Sequence, residues 1–179
     1  MLGTLKLPLN GFQYFTVAGG PYKDCPETMS GVKMAAEIKQ ACAVDIPTRD
    51  FQVPDALRLS YGLERAVALM LQGEPLYVGC YGGKGRTGLF LAVLAKAMGI
   101  QNPVEYVREH YYRHAVETDE QYQFVTDFPV TSEVHQQIRR MKRWSWLRFW
   151  QRNLTRMPRG IPAGKTVSIK KQATGYFGG

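Results

Sequence analysis

The chain has 179 residues, enough to bury a real core as one domain plus extensions. It is 45% hydrophobic, but no apolar run is long enough to span a bilayer and the N-terminus lacks a secretory pattern, which argues against an integral membrane or secreted protein. The net charge of +8 is unevenly placed: from Val134 onward there are 11 Lys/Arg and no Asp/Glu, against 12 basic and 15 acidic residues before it.

In chain order, Thr4 to Val17 reads as a hairpin around an Asn10-Gly11 turn. Asp24, Pro26 and Glu27 form a capping-box pattern that predicts a helix to about Ala41. Ala43 to Pro47 reads as a short strand leading to Asp50. Leu57, Tyr61, Ala68 and Leu71 repeat with helical period from about Pro54 to Leu71, and Gly73 ends the run. Pro75 to Val78 suits a buried strand, and Thr87 to Met98 an apolar helix closed by Gly99. Capping boxes at Asn102 and Thr118 predict helices to about Arg113 and Phe128. A long helix is expected from Ser132 to about Asn153, then a loose basic tail from 154. The domains expected are a catalytic unit over 1–131, a basic aromatic helix over 132–153, and the tail over 154–179.

The chemistry concentrates in Val78-Gly-Cys-Tyr-Gly-Gly-Lys-Gly-Arg-Thr-Gly88. A strand, a glycine-rich turn and a helix make an anion site, because the first N–H groups of the helix lack intrahelical partners and the helix dipole adds positive potential. Backbone amides of Tyr81, Gly82, Gly83, Lys84 and Gly85 are candidates to ring a tetrahedral oxyanion. Arg86 can hold two phosphate oxygens through its planar fork. Cys80 lies at the base of the same ring, where such donors favour the thiolate, and Thr87 could donate to the departing sulfur. An ATP-binding phosphate loop does not fit: Gly85 follows Gly83-Lys84 where Ser or Thr is required, and Val78 stands where the first glycine belongs.

This stretch resembles the signature of the cysteine-dependent protein tyrosine and dual-specificity phosphatases, over roughly Ala43 to Phe128. The mid-chain loop with acids upstream favours the dual-specificity-like branch. The resemblance implies an α/β fold, with a small, mainly parallel sheet flanked by helices and the loop at the carboxyl end of the strand near Val78. It implies Asp50 as general acid, set in Ile46-Pro-Thr-Arg-Asp-Phe51, with Asp45 and Asp55 as the other carboxylates nearby. Gln121 falls on one of the family's two water-positioning glutamines, and Glu117 occupies the other; Gln121 is equally the N3 member of the Thr118 capping box. Gly79 departs from the pattern, since the family carries His before the nucleophile. That departure points either to slow turnover or to a binder that has lost catalysis.

The expected activity is hydrolysis of phosphomonoesters on proteins, phosphotyrosine included and phosphoserine and phosphothreonine admitted by a shallow pocket, with neither cofactor nor metal. Lys84 keeps phosphoinositides or inositol phosphates open as alternatives, and a catalytically dead phosphate- or nucleic-acid-binding module is the third reading. Cys25 and Cys42 read as ordinary partly buried thiols in a reduced, cytoplasmic protein. His110 and His114 lack a third ligand and read as surface histidines. Trp144, Trp146 and Trp150 interleave with basic residues, and residues 139–171 are consistent with an anionic membrane surface, with nucleic acid, or with simple packing on the body.

Overall fold

Strands β1 (Gly3–Asn10) and β2 (Gln13–Pro21) lead through a 3-10 turn at Tyr22–Asp24 into β3 (Ser30–Ala35) and β4 (Val44–Thr48). Helix α1 (Ala56–Gln72), strand β5 (Leu76–Cys80) and helices α2 (Gly85–Ala97), α3 (Pro103–His110), α4 (Asp119–Asp127) and α5 (Ser132–Leu154) follow. This computed structural model describes residues 2–154, with side chains up to Trp146. The tail expected beyond Leu154 and the side chain of Trp150 lie outside the described residues.

The sheet order is β1-β2-β5-β3-β4, parallel throughout except for the antiparallel β1–β2 edge. β5 is the central strand and is buried along its whole length, as its apolar run requires. The α/β class with a mainly parallel sheet is therefore what the chain adopts. Helix α1 starts at Asp55, whose carboxylate accepts the Arg58 N–H at 2.9 Å, and stops at Gly73 in the left-handed conformation. Lys96 of α2 donates to the carbonyls of Val125, Thr126 and Phe128 at the end of α4, locking the two helices together.

Three local expectations are corrected. The helix expected from Asp24 to Ala41 is the 3-10 turn plus strand β3. The capping pattern is local, whereas Val32 and Met34 are fully buried and the backbone of β3 fills the slot between β4 and β5. Gly31 leaves room for the Tyr22 ring there. The hairpin turn is shifted by one residue: Asn10 pairs with Gln13, and its side-chain oxygen accepts from the N–H of Phe12 and Gln13. Helix α3 ends at His110 rather than near Arg113, and Asn102 makes no side-chain cap.

Candidate active site

The glycine-rich loop joins the carboxyl end of β5 to the first turn of α2. Cys80 is 3% exposed and its Sγ accepts the Gly83 N–H at 3.2 Å, so the loop backbone already turns a donor on the sulfur. Gly83 has φ 74°, and a Cβ there would lie 2.3 Å from the Gly20 carbonyl carbon; both facts require glycine. The loop is held from outside by the Tyr111 hydroxyl, which donates to the Gly83 carbonyl at 2.6 Å. The Tyr77 hydroxyl, donating to the Pro21 carbonyl at 2.9 Å, ties β5 to the end of β2. Burial, then the neighbouring Asp24, Cys25 and Cys80, push the Tyr77 phenol up to about 12. Burial chiefly raises Tyr111 as well, so both hydroxyls remain donors throughout the ordinary pH range.

Gly79, where the resemblance implies histidine, leaves no room for a side chain. A Cβ on Gly79 would stand 2.8 Å from the Tyr22 Cα and 3.0 Å from the Gly20 carbonyl oxygen. The 3-10 turn occupies the space a side chain would need, and β2 and Tyr111 brace the loop instead.

Arg86 is 2% exposed and its guanidinium is almost fully engaged. Nη1 donates to Glu37 Oε2 at 2.9 Å and to the Thr48 carbonyl at 2.8 Å. Nη2 donates to Glu37 Oε1 at 2.7 Å and lies 3.0 Å from Asp50 Oδ1. Nε has no partner, and neither does the fully buried hydroxyl of Thr87. Burial opposes the charge on Arg86, but the bonds to Glu37 and the proximity of Cys80 and Asp50 outweigh it, leaving the guanidinium above its ordinary value. The same Arg86 bond holds the Glu37 carboxyl below the ordinary carboxylate range. Glu37 was not singled out by the sequence: it follows β3 by two residues, in a segment read as helix, and carries no motif.

Asp50 is exposed, on a loop where Phe51 has φ 58°. The other nearby carboxylates have different partners: Asp55 caps α1, and Asp45 pairs with Lys33 at 3.4 Å. On the opposite rim, Val116 has φ 60°, an outlier for a β-branched residue, and Arg108 holds the carbonyls of Ala115 and Val116 at 3.0 and 2.9 Å. Gly88 admits this segment, because a Cβ there would meet Ala115 Cβ at 2.6 Å. The exposed Glu117 follows, with its carboxylate directly over Gly85. Gln121 is fully buried: its N–H is capped by Thr118 at 3.1 Å, its Oε1 accepts from the Glu117 N–H at 2.9 Å, and its Nε2 donates to the Gln52 carbonyl at 3.3 Å. The amide thus ties the loop beside Asp50 to the start of α4. Tyr81 is 71% exposed, Gly82 is open to solvent, and the Lys84 ammonium stands 5.5 Å above the Tyr112 ring. Among the described residues no group of three His, Cys, Asp or Glu side chains is placed to hold a metal. His110 stacks on Tyr106 and His114 meets the Tyr112 ring edge-on.

The family described as PTP-SAK, Swiss Army Knife protein, DSP-PTPase phosphatase domain, matches residues 25–141. The uncharacterized protein MJECL20 of Methanocaldococcus jannaschii is 39% identical over 83 residues, covering 46% of this chain and 56% of that protein, so the chain spans about half the length of this curated relative. Two crystal structures share the fold: Tk-PTP in its active form (TM-score 0.52, 18% identity, 69% of this chain and 95% of that one), and kinase associated phosphatase with its catalytic-site cysteine replaced by serine (TM-score 0.52, 17% identity, 71% and 93%).

Proposed function

Since the chain belongs to the Swiss Army Knife DSP-PTPase phosphatase family, we propose that it hydrolyses phosphomonoesters through a phosphocysteine, with phosphoproteins as substrates. The observation that carries this reading is one buried thiol and one buried guanidinium on the same loop, the thiol accepting a loop amide and the guanidinium clamped from behind by Glu37. Arg86 leaves Nε unpartnered and shares Nη2 with the exposed Asp50, so an incoming phosphate displaces one exposed carboxylate rather than the clamp.

The reaction follows from that geometry. Loop amides over Tyr81–Gly85 and Arg86 bind the non-bridging oxygens, where negative charge is held through the transition state. Cys80 Sγ forms a bond to phosphorus as the bond to the leaving oxygen breaks, and Asp50, protonated, gives that oxygen its proton. Water then attacks the phosphocysteine and passes a proton to Asp50, the S–P bond breaks, and the Thr87 hydroxyl stabilises the sulfur that leaves. With both ends of its amide already bonded, Gln121 acts by positioning the loop beside Asp50. Glu117, over Gly85, is the carboxylate left to orient the water.

Phosphotyrosine on proteins is favoured by two exposed rings, Phe51 beside Asp50 and Tyr81 beside Cys80, which can flank an aryl group. Release of phosphate from a tyrosine phosphopeptide, set beside a soluble inositol phospholipid, tests the substrate class; turnover of the lipid alone rejects it. Cys80→Ser should abolish release while retaining phosphopeptide binding. Binding without release by the native chain would instead identify a phosphate-binding module.

A further inference from the structure

The register of the sheet fixes which features lie far from the loop. β2 runs parallel to β5, with Pro21 beside Cys80, so the hairpin tip at Phe12 lies about 30 Å away at the opposite pole. Helix α5 reaches the same pole by two separate contacts. Asn10 Nδ2 donates to Ser145 Oγ at 3.2 Å, and Lys142 Nζ donates to the carbonyl of Met98, at the far end of α2 from Arg86. Val134, Ile138 and Met141 bury the inner side of α5. Its outer side carries Arg139, Arg140 and Arg143, all exposed.

Large rings project from both elements at this pole. Phe12 is 80% exposed, Trp144 54% and Trp146 52%. Solvent-exposed aromatics beside Arg139, Arg140 and Arg143, in a segment with no acidic residue after Glu133, form a surface that is apolar and cationic together.

We propose that this pole, the hairpin tip at Phe12 with the outer side of α5 from Arg139 to Trp146, docks the protein on an anionic lipid bilayer. Trp rings favour the boundary between headgroups and acyl chains, a phenyl ring at a tip inserts without burying a polar atom, and arginines meet the negative surface potential. A nucleic-acid strand fits this pole less well. The rings protrude from two elements rather than lining a groove, and Phe12 offers a phosphate or a base edge nothing to bond. Docking is independent of the phosphatase reading, but the consequence for substrate rests on it: the phosphate loop would face away from the bilayer, toward soluble or peripheral phosphoproteins.

Tryptophan fluorescence reads helix α5 selectively, because Trp144, Trp146 and Trp150 are the only tryptophans and all three belong to it. The full chain should shift to the blue and co-sediment with phosphatidylcholine vesicles containing phosphatidylserine, more weakly without phosphatidylserine or at high salt. Brominated acyl chains should quench the emission. The double variant Phe12→Ser/Trp144→Ser should partition about ten-fold less or weaker still, and Arg139→Gln/Arg140→Gln/Arg143→Gln should lose the phosphatidylserine preference. Both variants should remain folded with cooperative melts, since every altered side chain is exposed. Absence of vesicle binding, unchanged partitioning of the folded double variant, or a fluorescence response to an oligonucleotide but not to vesicles would overturn the proposal.

Discussion

The glycine-rich loop and the loop that carries Asp50 meet at Arg86 and are built in opposite ways. Cys80, Gly83, Gly85 and Arg86 are buried, with Gly83 packed on Gly20 and its carbonyl bonded by Tyr111. Arg49 to Gln52 is exposed and carries Asp50 and the left-handed Phe51. The loop that would form a covalent bond is buried against the sheet, while the loop that would deliver a proton lies exposed, tied by the Gln121 amide at Gln52 and by Asp50 at Arg86. Burial and exposure are therefore assigned to different residues of one site.

The sharpest test of this division is Asp50→Asn. It should lower kcat by about 10²–10⁴-fold while leaving the thermal melt within a degree or so of native, because the side chain is exposed. A matching loss of stability would erase the contrast between the two loops. Gly79→His should do the reverse. Placing histidine there forces a side chain against Tyr22 and Gly20, and should cost about 1–3 kcal/mol of stability by denaturant titration without raising turnover. Tyr111→Phe removes one bond to the Gly83 carbonyl and leaves a buried acceptor, for about 1–2 kcal/mol and a modest fall in kcat.

The smallest effect expected is on pH dependence. The Glu37 carboxyl lies below its ordinary 4.5 in the fold, so its bond to Arg86 adds stability that is full above that value and is lost as pH falls through the lower folded one. Its side chain is 43% exposed, so solvent screens part of the gain. Melts of native protein and Glu37→Gln should converge as pH falls below 4.5; a constant gap would show that the clamp works without its charge.

Much of the site was readable because its chemistry is local. Cys80, the glycines, Arg86 and Thr87 are contiguous, and a strand–turn–helix there has one physical use for so many free amides. Asp55 was readable as a cap for the same reason. Glu37 was not, because its partner lies 49 residues away and no spacing announces it. The reading of Gln121 was incomplete in a similar way. Thr118 does cap its N–H, but the bond from its amide to the Gln52 carbonyl crosses 69 residues.

By itself the sequence determined the glycine-rich turn between β5 and α2 and the accumulation of positive charge after Val134, because apolar period, glycine placement and charge are properties of neighbouring residues; the α/β class came through the family resemblance that this turn carries. Tertiary structure alone decided that residues 30–35 are a strand, that Glu37 clamps Arg86, that no side chain fits at residue 79, and that Phe12 and α5 share a pole far from Cys80. Each of those depends on which distant segments the sheet order brings together, and pairing across the sheet overrides a local preference whenever burying Val32 and Met34 is worth more than a capping bond.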